Sequence, residues 1–476
     1  MATVAIVGQK KWPIFLLVAV GIFMSTLDSS IVNIALPTIM ADFGVALSTM
    51  EWVVMIYLLT ISTLLLSFGR LSDIKGRRWV YSKGLIVFSV GSFFCALAKN
   101  VLLLIAARAF QGIGAAMIMS CTPALVVDTF PASERGRALG MVGTVVAAGL
   151  TTGPALGGAL IHLFSWRVIF YINVPIGIVT AIFISGLLRG SHADSTVEEP
   201  FDWAGAVLLT LSLACFLLAL SHGYKWGYVS LRTLFLVGIS VLAAARFVRI
   251  ETKISHPIVQ PSLFSIRLFV LPILSGIALF VALFMVVFLM PFYLIHPCGY
   301  PVNKVGLFMV VPFIFLFFVA PISGSMYDRL GSRMLCTVGM TILAIAVFSL
   351  SSLSCGQTAF PIVWRLALVG LGTAIFLPPN SSAAMTAVPP HRRGIAAGTV
   401  ATARNLGMVI GVALAGAIFN TCFHILSGGL SLKAYRPEFS PIFMSCFRYA
   451  MAAGGVVAMI GTIIAFLRGP EKKGQT

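Results

Sequence analysis

The chain has 476 residues, of which 59% are hydrophobic and only 10% charged, and its mean hydropathy is +1.03. A soluble domain carries about 25% charged residues, so the composition excludes a water-soluble globule and indicates an all-α polytopic membrane protein. The net charge of +18 would suggest nucleic acid in a soluble chain; here it reads as basic loops on one side of a bilayer, and no nucleic-acid partner is expected.

Apolar runs near the length that crosses a bilayer as a helix fall at 13–37, 51–69, 80–99, 102–127, 137–162, 167–188, 202–221, 231–250, 268–295, 303–326, 334–352, 361–386, 395–422 and 443–467. A β-barrel would show alternating segments of about ten residues instead. The first run follows Lys10 and Lys11 but continues past Asp28 without a small-residue cleavage site, so it reads as a retained span and not a signal peptide. The loops holding Arg70–Arg78, Glu134–Arg137, Arg189–Asp202, Arg246–Arg267, Asp328–Arg333 and His391–Arg393 collect most of the Lys and Arg. By the positive-inside rule these loops, and both termini, are expected in the cytoplasm of a cell-membrane protein. The eight cysteines show no CxxC or other metal spacing, so no metal or cofactor is expected.

Glycines recur at one constant offset. Gly112, Gly114, Arg135, Gly136, Gly140, Gly149, Gly153 and Gly158 match Gly370, Gly372, Arg393, Gly394, Gly398, Gly407, Gly411 and Gly416. An internal repeat with six spans per unit keeps both units entering from the same side, so the halves are related by an axis along the membrane normal. The expected organisation is a six-helix bundle at 1–190, an inserted two-helix hairpin with its flanks at 191–267, and a second six-helix bundle at 268–476.

Along the chain, Asp28 reads as the only acid well inside a span, which makes it a functional-site hypothesis. Arg108 stands in the fourth span. At about 1.5 Å per residue both lie about 12–14 Å below the outer face, so an ion pair is feasible. Such a pair either holds two helices together or couples protonation to conformation. The second–third loop reads GRLSDIKGRR, with Gly69, Asp73, Arg77 and Arg78; its counterpart GSMYDRLGSR carries Asp328 and Arg329. The fifth span holds GLTTGPALGG, with Gly149, Gly153, Pro154, Gly157 and Gly158. Its glycines permit close helix approach, and the proline removes a backbone donor. Arg404, in ATARNLGMVIG beside Asn405, either lines an aqueous cavity or bonds helix-end carbonyls. Phenylalanines crowd the ninth and tenth spans; packing is their default, while Phe284 and Phe288 are candidates for an apolar pocket. Asn33, Gln111, Arg404, Asn405, Phe284 and Phe288 are thus the candidate substrate-cavity residues. No GxSxG, HExxH or Walker sequence occurs, so catalysis is not expected.

At these residues the chain resembles the major facilitator superfamily in its fourteen-span drug:proton antiporter branch. LDSSIVNIALP, GRLSDIKGRR, RAFQGIGAA, GLTTGPALGG, WRVIFYINVPIG and FDWAG carry the resemblance. It implies two six-helix bundles plus two inserted helices, and export of amphipathic organic compounds driven by inward proton flow. It further implies Asp28 as the proton-binding acid, Arg108 as its partner, and Asp73 with Arg77 as a latch between halves on the cytoplasmic side. The glycines and Pro154 then favour antiport. The chain departs at Ile74, where the family's loop motif has a basic residue. Two rival expectations remain: a dedicated exporter of one metabolite or siderophore, and a non-transporting scaffold or sensor. A periplasmic adaptor partner is compatible with the sequence, but no residue demands one. The repeat is also unequal. Pro154 meets Val412 at the common offset, the arginine slips one place to Arg365, and Asp28 finds no acid in the ninth span.

Overall fold

The computed structural model describes residues 2–131, 134–187, 203–253, 261–389, 393–433 and 435–469, with side chains from residue 11 on, save at 135–136, 139, 185–187, 203, 261, 328 and 393–395. The polar stretch 191–200, the side chains of Arg135, Arg393 and Asp328, and His391 with Arg392 therefore lie outside the described residues.

Helices form throughout because backbone N–H and C=O groups in hydrocarbon must be satisfied within their own segment. The first half holds α1 (Ala2–Phe43), α2 (Leu47–Lys75), α3 (Arg77–Leu97), α4 (Val101–Thr129), α5 (Arg135–Leu163) and α6 (Asn173–Leu187), the last preceded by the turn Val168–Tyr171. A hairpin of α7 (Trp203–Trp226) and α8 (Leu231–Glu251) follows. The second half holds α9 (Arg267–Ile295), α10 (Val302–Tyr327), α11 (Arg329–Leu350), α12 (Ala359–Thr386), α13 (Arg393–Leu426) and α14 (Ser440–Phe466). Thirteen of these helices are long and apolar enough to cross a membrane among the described residues, and Val168–Ile184 is a shorter apolar one.

The fourteen expected spans coincide with these helices, several of which run past the expected bounds, as α2 does at both ends. α1 continues through Pro37 to Phe43, where Trp166 Nε1 and Arg167 Nη1 donate to Asp42 at 2.9 and 3.3 Å and hold the extra turns. Gly76 (φ +89°) makes the tight link between α2 and α3, and Gly331 (φ +76°), two residues into α11, is the non-helical residue at which the run from α10 kinks. Both need the left-handed backbone that glycine adopts at little cost.

The repeated glycines make equivalent contacts in the two halves. A Cβ on Gly112 would meet Thr60 and Tyr57 of α2, and one on Gly370 would meet Pro312 of α10. Gly114 lies against Gly84 and Phe88 of α3, as Gly372 lies against Gly339 and Leu343 of α11. Gly149 and Gly153 approach α1, and Gly407 and Gly411 approach α9. In a bilayer, where helix association rests on close packing, such small-residue tracks set the helix order. The hairpin helix α7 packs on α2 and on α13, so it touches both halves.

Candidate functional site

The first half closes around Asp28. Its helix is brought close to α5 by a ladder of side-chain-free positions: added Cβ atoms on Gly149, Gly153 and Gly157 would strike Thr26, Ser30 and Ile31. Ser30 Oγ donates to the Gly149 carbonyl at 3.3 Å. With α1 fixed in this way, Asp28 points at α4. Arg108 Nη1 donates to Asp28 Oδ2, and the two side chains are 1% and 0% exposed respectively. Asp28 Oδ1 accepts from Gln111 Nε2 at 2.9 Å and from Asn173 Nδ2 of α6 at 3.4 Å.

Arg108 is held from every side. Its Nε donates to the Val53 carbonyl of α2 at 3.1 Å, and Nη1 donates to Gln111 Oε1 at 2.7 Å. Its guanidinium lies 3.9 Å from the centre of the Tyr57 ring and 5.8 Å from that of Phe170. A cation over an aromatic face is attracted by the ring quadrupole, more strongly when dry. Gln111 Nε2 also donates to Ser92 Oγ of α3 at 2.7 Å. Five helices thus contribute to one buried charge cluster. Burying a pair of charges requires that their remaining donors and acceptors be satisfied, and Gln111, Asn173, Val53 and Tyr57 do this. Asn173 sits in the WRVIFYINVPIG segment, but neither it nor Tyr57 and Ser92 is marked by a sequence pattern for this contact.

The half-to-half seam follows from the same motif in α5. Gly158 turns the other way from Gly149, Gly153 and Gly157, and its Cβ would lie 2.8 Å from the Val302 carbonyl and 3.2 Å from Gly306 Cα. A Cβ on Gly306 would in turn strike the Pro154 carbonyl. Across the molecule, a Cβ on Gly416 of α13 would collide with the carboxyl of Glu51 of α2. Leu47 N donates to the Leu432 carbonyl at 3.1 Å beside it. These approaches lie towards the face opposite the termini. Nearer the termini, Cβ atoms on Gly140 and Gly143 of α5 and on Gly69 of α2 would meet nothing within 4 Å. The halves are sealed at the opposite face; towards the termini α5 stands clear at Gly140 and Gly143, while α13 still meets α2, where a Cβ on Gly398 would strike Leu66.

The loop motif bonds within its own half here. Arg77 Nη2 donates to Asp73 at 3.3 Å, and Nη1 pairs with Asp128 at the end of α4. Arg78 is half-buried beside it, and Arg329 is exposed. Three cavity candidates carry buried polar atoms without a hydrogen-bond partner among the described residues: Asn33 Oδ1, Arg404 Nε and Asn405 Nδ2. Gln111 belongs to the charge cluster. Phe284 and Phe288 are 5% and 0% exposed, the first packed on Gly411 and the second on Phe292. Both are core side chains in this conformation. Arg365 bonds the Ser349 and Pro361 carbonyls at 2.9 and 2.7 Å, the role of a helix-end arginine.

Two pseudo-equivalent helical bundles, a seam closed at one face and a buried charge cluster define a membrane carrier built from two repeated halves. The family model of the Major Facilitator Superfamily matches residues 18–412 and 273–475. The chain is 34% identical over 412 residues to a riboflavin transporter, RibZ, of Clostridioides difficile, covering 86% of this chain and 89% of that one. It is 34% identical over 400 residues to the multidrug resistance protein Stp of Mycobacterium tuberculosis, covering 84% and 74%. In fold it matches a bacterial homolog of the human lysosomal transporter Spinster, in an inward-facing and occupied conformation, with a TM-score of 0.68 at 16% identity over 95% of this chain and 96% of that one. The chain belongs to the Major Facilitator Superfamily. It is a multi-pass membrane transporter of small molecules and not an enzyme.

Proposed function

We propose that this transporter is a proton-coupled antiporter that exports amphipathic organic compounds across the cell membrane by alternating access. The observation that carries the reading is the Asp28–Arg108 cluster. Each oxygen of the carboxylate accepts from an amide or guanidinium donor, and the pair is sealed from solvent. A proton on Asp28 removes the charge that holds Arg108, so protonation and the packing of α1, α2, α4 and α6 cannot change independently. With both termini in the cytoplasm, the seam at Gly158, Gly306 and Gly416 is closed to the outside.

In the cycle, Asp28 takes a proton from the outside, Arg108 is released, and the carrier returns inward. Substrate binding and proton loss inside reset it. The membrane potential contributes about 2.3 kcal/mol per charge per 100 mV. Asp73 and Arg77 engage the second half when the cytoplasmic side closes. Asn33, Arg404 and Asn405, each with one buried polar atom that has no partner among the described residues, supply hydrogen bonds to the cargo.

A second reading, a carrier dedicated to one physiological metabolite, is favoured by the similarity to RibZ. The test is flux into proteoliposomes under an imposed pH gradient, with a panel of unrelated amphiphiles and with riboflavin. Gradient-driven movement of several unrelated compounds supports the first reading, and movement of one alone supports the second. Undiminished gradient-driven flux in Asp28→Asn would remove the proton-site assignment.

A further inference from the structure

Glu51 is a second acid in the apolar interior, on the first turns of α2 and 0% exposed. Ser221 of α7 donates to its Oε1 at 2.6 Å, while Oε2 has no partner among the described residues. Gly416 of α13 leaves the space that the carboxyl occupies. Three parts of the molecule meet at this one group: the first half, the inserted hairpin and the second half. Around it, Tyr224 of α7 donates to Ser48 at 2.9 Å and packs edge-on against His424 of α13.

Among the described residues no cation pairs with it. Towards this end of the packed elements the titratable and charged groups include Asp28 and Asp42 of α1, Cys95 of α3, Arg108 of α4, His222, Tyr224 and Lys225 of α7, Arg404, Cys422 and His424 of α13, and Lys433 of the loop that meets Leu47. Arg108 is committed to Asp28, and Asp42 to Arg167. His222 stacks on Trp226 and lies near Trp52. None of these groups bonds to Glu51 among the described residues. A carboxylate enclosed by a hydroxyl, a glycine and apolar side chains costs several kcal/mol, whereas the neutral acid fits.

We propose that Glu51 is a proton-binding latch of the opposite-face seam: the neutral acid seats against Gly416 and Ser221 and holds the seam closed, and the carboxylate holds it open. Glu51 stands one turn from the end of α2 at that face. Its proton therefore passes to water on that side when the seam parts, the O–H bond breaking to leave the carboxylate. It returns from the same side and is not carried across. The proposal assigns the hairpin a task, since α7 supplies Ser221 and Tyr224 to the latch. It rests on alternating access but not on Asp28 as the transported-proton site.

The test measures the seam directly. Spin labels at Thr49 and Ser427, in full-length protein with the accessible native cysteines replaced, report the α2–α13 separation in nanodiscs from pH 5 to 8. Where the two states differ by one bound proton, the open-to-closed ratio rises about tenfold per pH unit. Asp28→Asn retains that rise, whatever it does to gradient-driven flux. Glu51→Gln, a permanent mimic of the neutral acid, is closed at every pH. Gly416→Ala, whose new Cβ displaces the carboxyl, is open at every pH and serves if Glu51→Gln does not fold. A pH-dependent rise that persists in Glu51→Gln, a rise that vanishes in Asp28→Asn, or a Gly416→Ala seam that titrates like wild type would each overturn the proposal.

Discussion

Asp28→Asn keeps the volume of the side chain and removes its charge. The native carboxylate presents Oδ2 to Arg108, and Oδ1 to Gln111 and Asn173 at 2.9 and 3.4 Å. An amide has one acceptor oxygen, so either rotamer turns an NH2 towards a donor that previously had an acceptor. Arg108, 1% exposed, is left as a buried cation without its counter-charge. Removing one partner of a buried pair costs about 3–5 kcal/mol, enough at about 1.4 kcal/mol per tenfold to shift a two-state equilibrium by roughly a hundred-fold or more. Asp28→Asn/Arg108→Gln removes both charges, and most of that cost is recovered. The assay is a double-mutant cycle read by reversible unfolding in detergent. The expected coupling between the two positions is about 3–5 kcal/mol, with Asp28→Asn and the double variant both lacking gradient-driven flux. Single costs that add to within about 0.5 kcal/mol would refute the pair as a coupled unit of the fold.

Other expectations follow from the glycine tracks and from one histidine. Gly153→Ala places a methyl against Ser30; a destabilisation of about 1–3 kcal/mol is expected, and Ser30→Gly in the same chain relieves it, as thermal unfolding would show. Gly306→Val drives a side chain into the Pro154 carbonyl. It is expected to leave membrane insertion intact but to cut flux at least tenfold, and labelling of the opposite face measures the open seam. Pro154→Ala slows transport while the protein stays folded; loss of insertion instead would make that proline purely architectural. Burial beside Phe292 and Tyr435 pushes the His296 imidazole down from 6.5 to about 4. The unfolded chain therefore binds the extra proton first, and this contribution to stability is full above pH 6.5 and lost as the pH falls towards 4. His296→Phe flattens the pH dependence of the melting temperature in that window.

The helices and the repeat were legible because bilayer thickness and close packing write themselves into run length and glycine spacing. Gly112 and Gly370 share an offset and also share a contact, each against the second helix of its own half. The pairing of Asp28 with Arg108 was legible as a matching of depths. What surrounds the pair was not: Asn173, Tyr57 and Ser92 reach it from three other helices, and no local pattern records convergence in space. Glu51 was missed because the expected second span began on it, so it read as an interfacial residue. The helix starts at Leu47, and the acid is one turn inside. Phe284 and Phe288 had the composition of a pocket wall, but the glycine track of α13 draws α9 so close that Phe284 becomes packing. Asp73 and Arg77 were legible as a charged elbow, but not which partner they hold in a given state, because one loop serves two conformations.

Where the seam between α5 and α10 is tightest, main chain meets main chain: Gly158 on Val302 and Gly306, and Gly306 on the Pro154 carbonyl. Main-chain surface has the same shape whatever cargo the carrier handles. The residues proposed to meet the cargo, such as Asn33 and Asn405, can therefore be exchanged one at a time without altering that crossing. Two lineages sharing this architecture can drift to different nutrients or toxins while opening and shutting alike. An inhibitor wedged into that seam would meet few side chains able to mutate away from it, whereas one lodged among the cargo contacts would meet many.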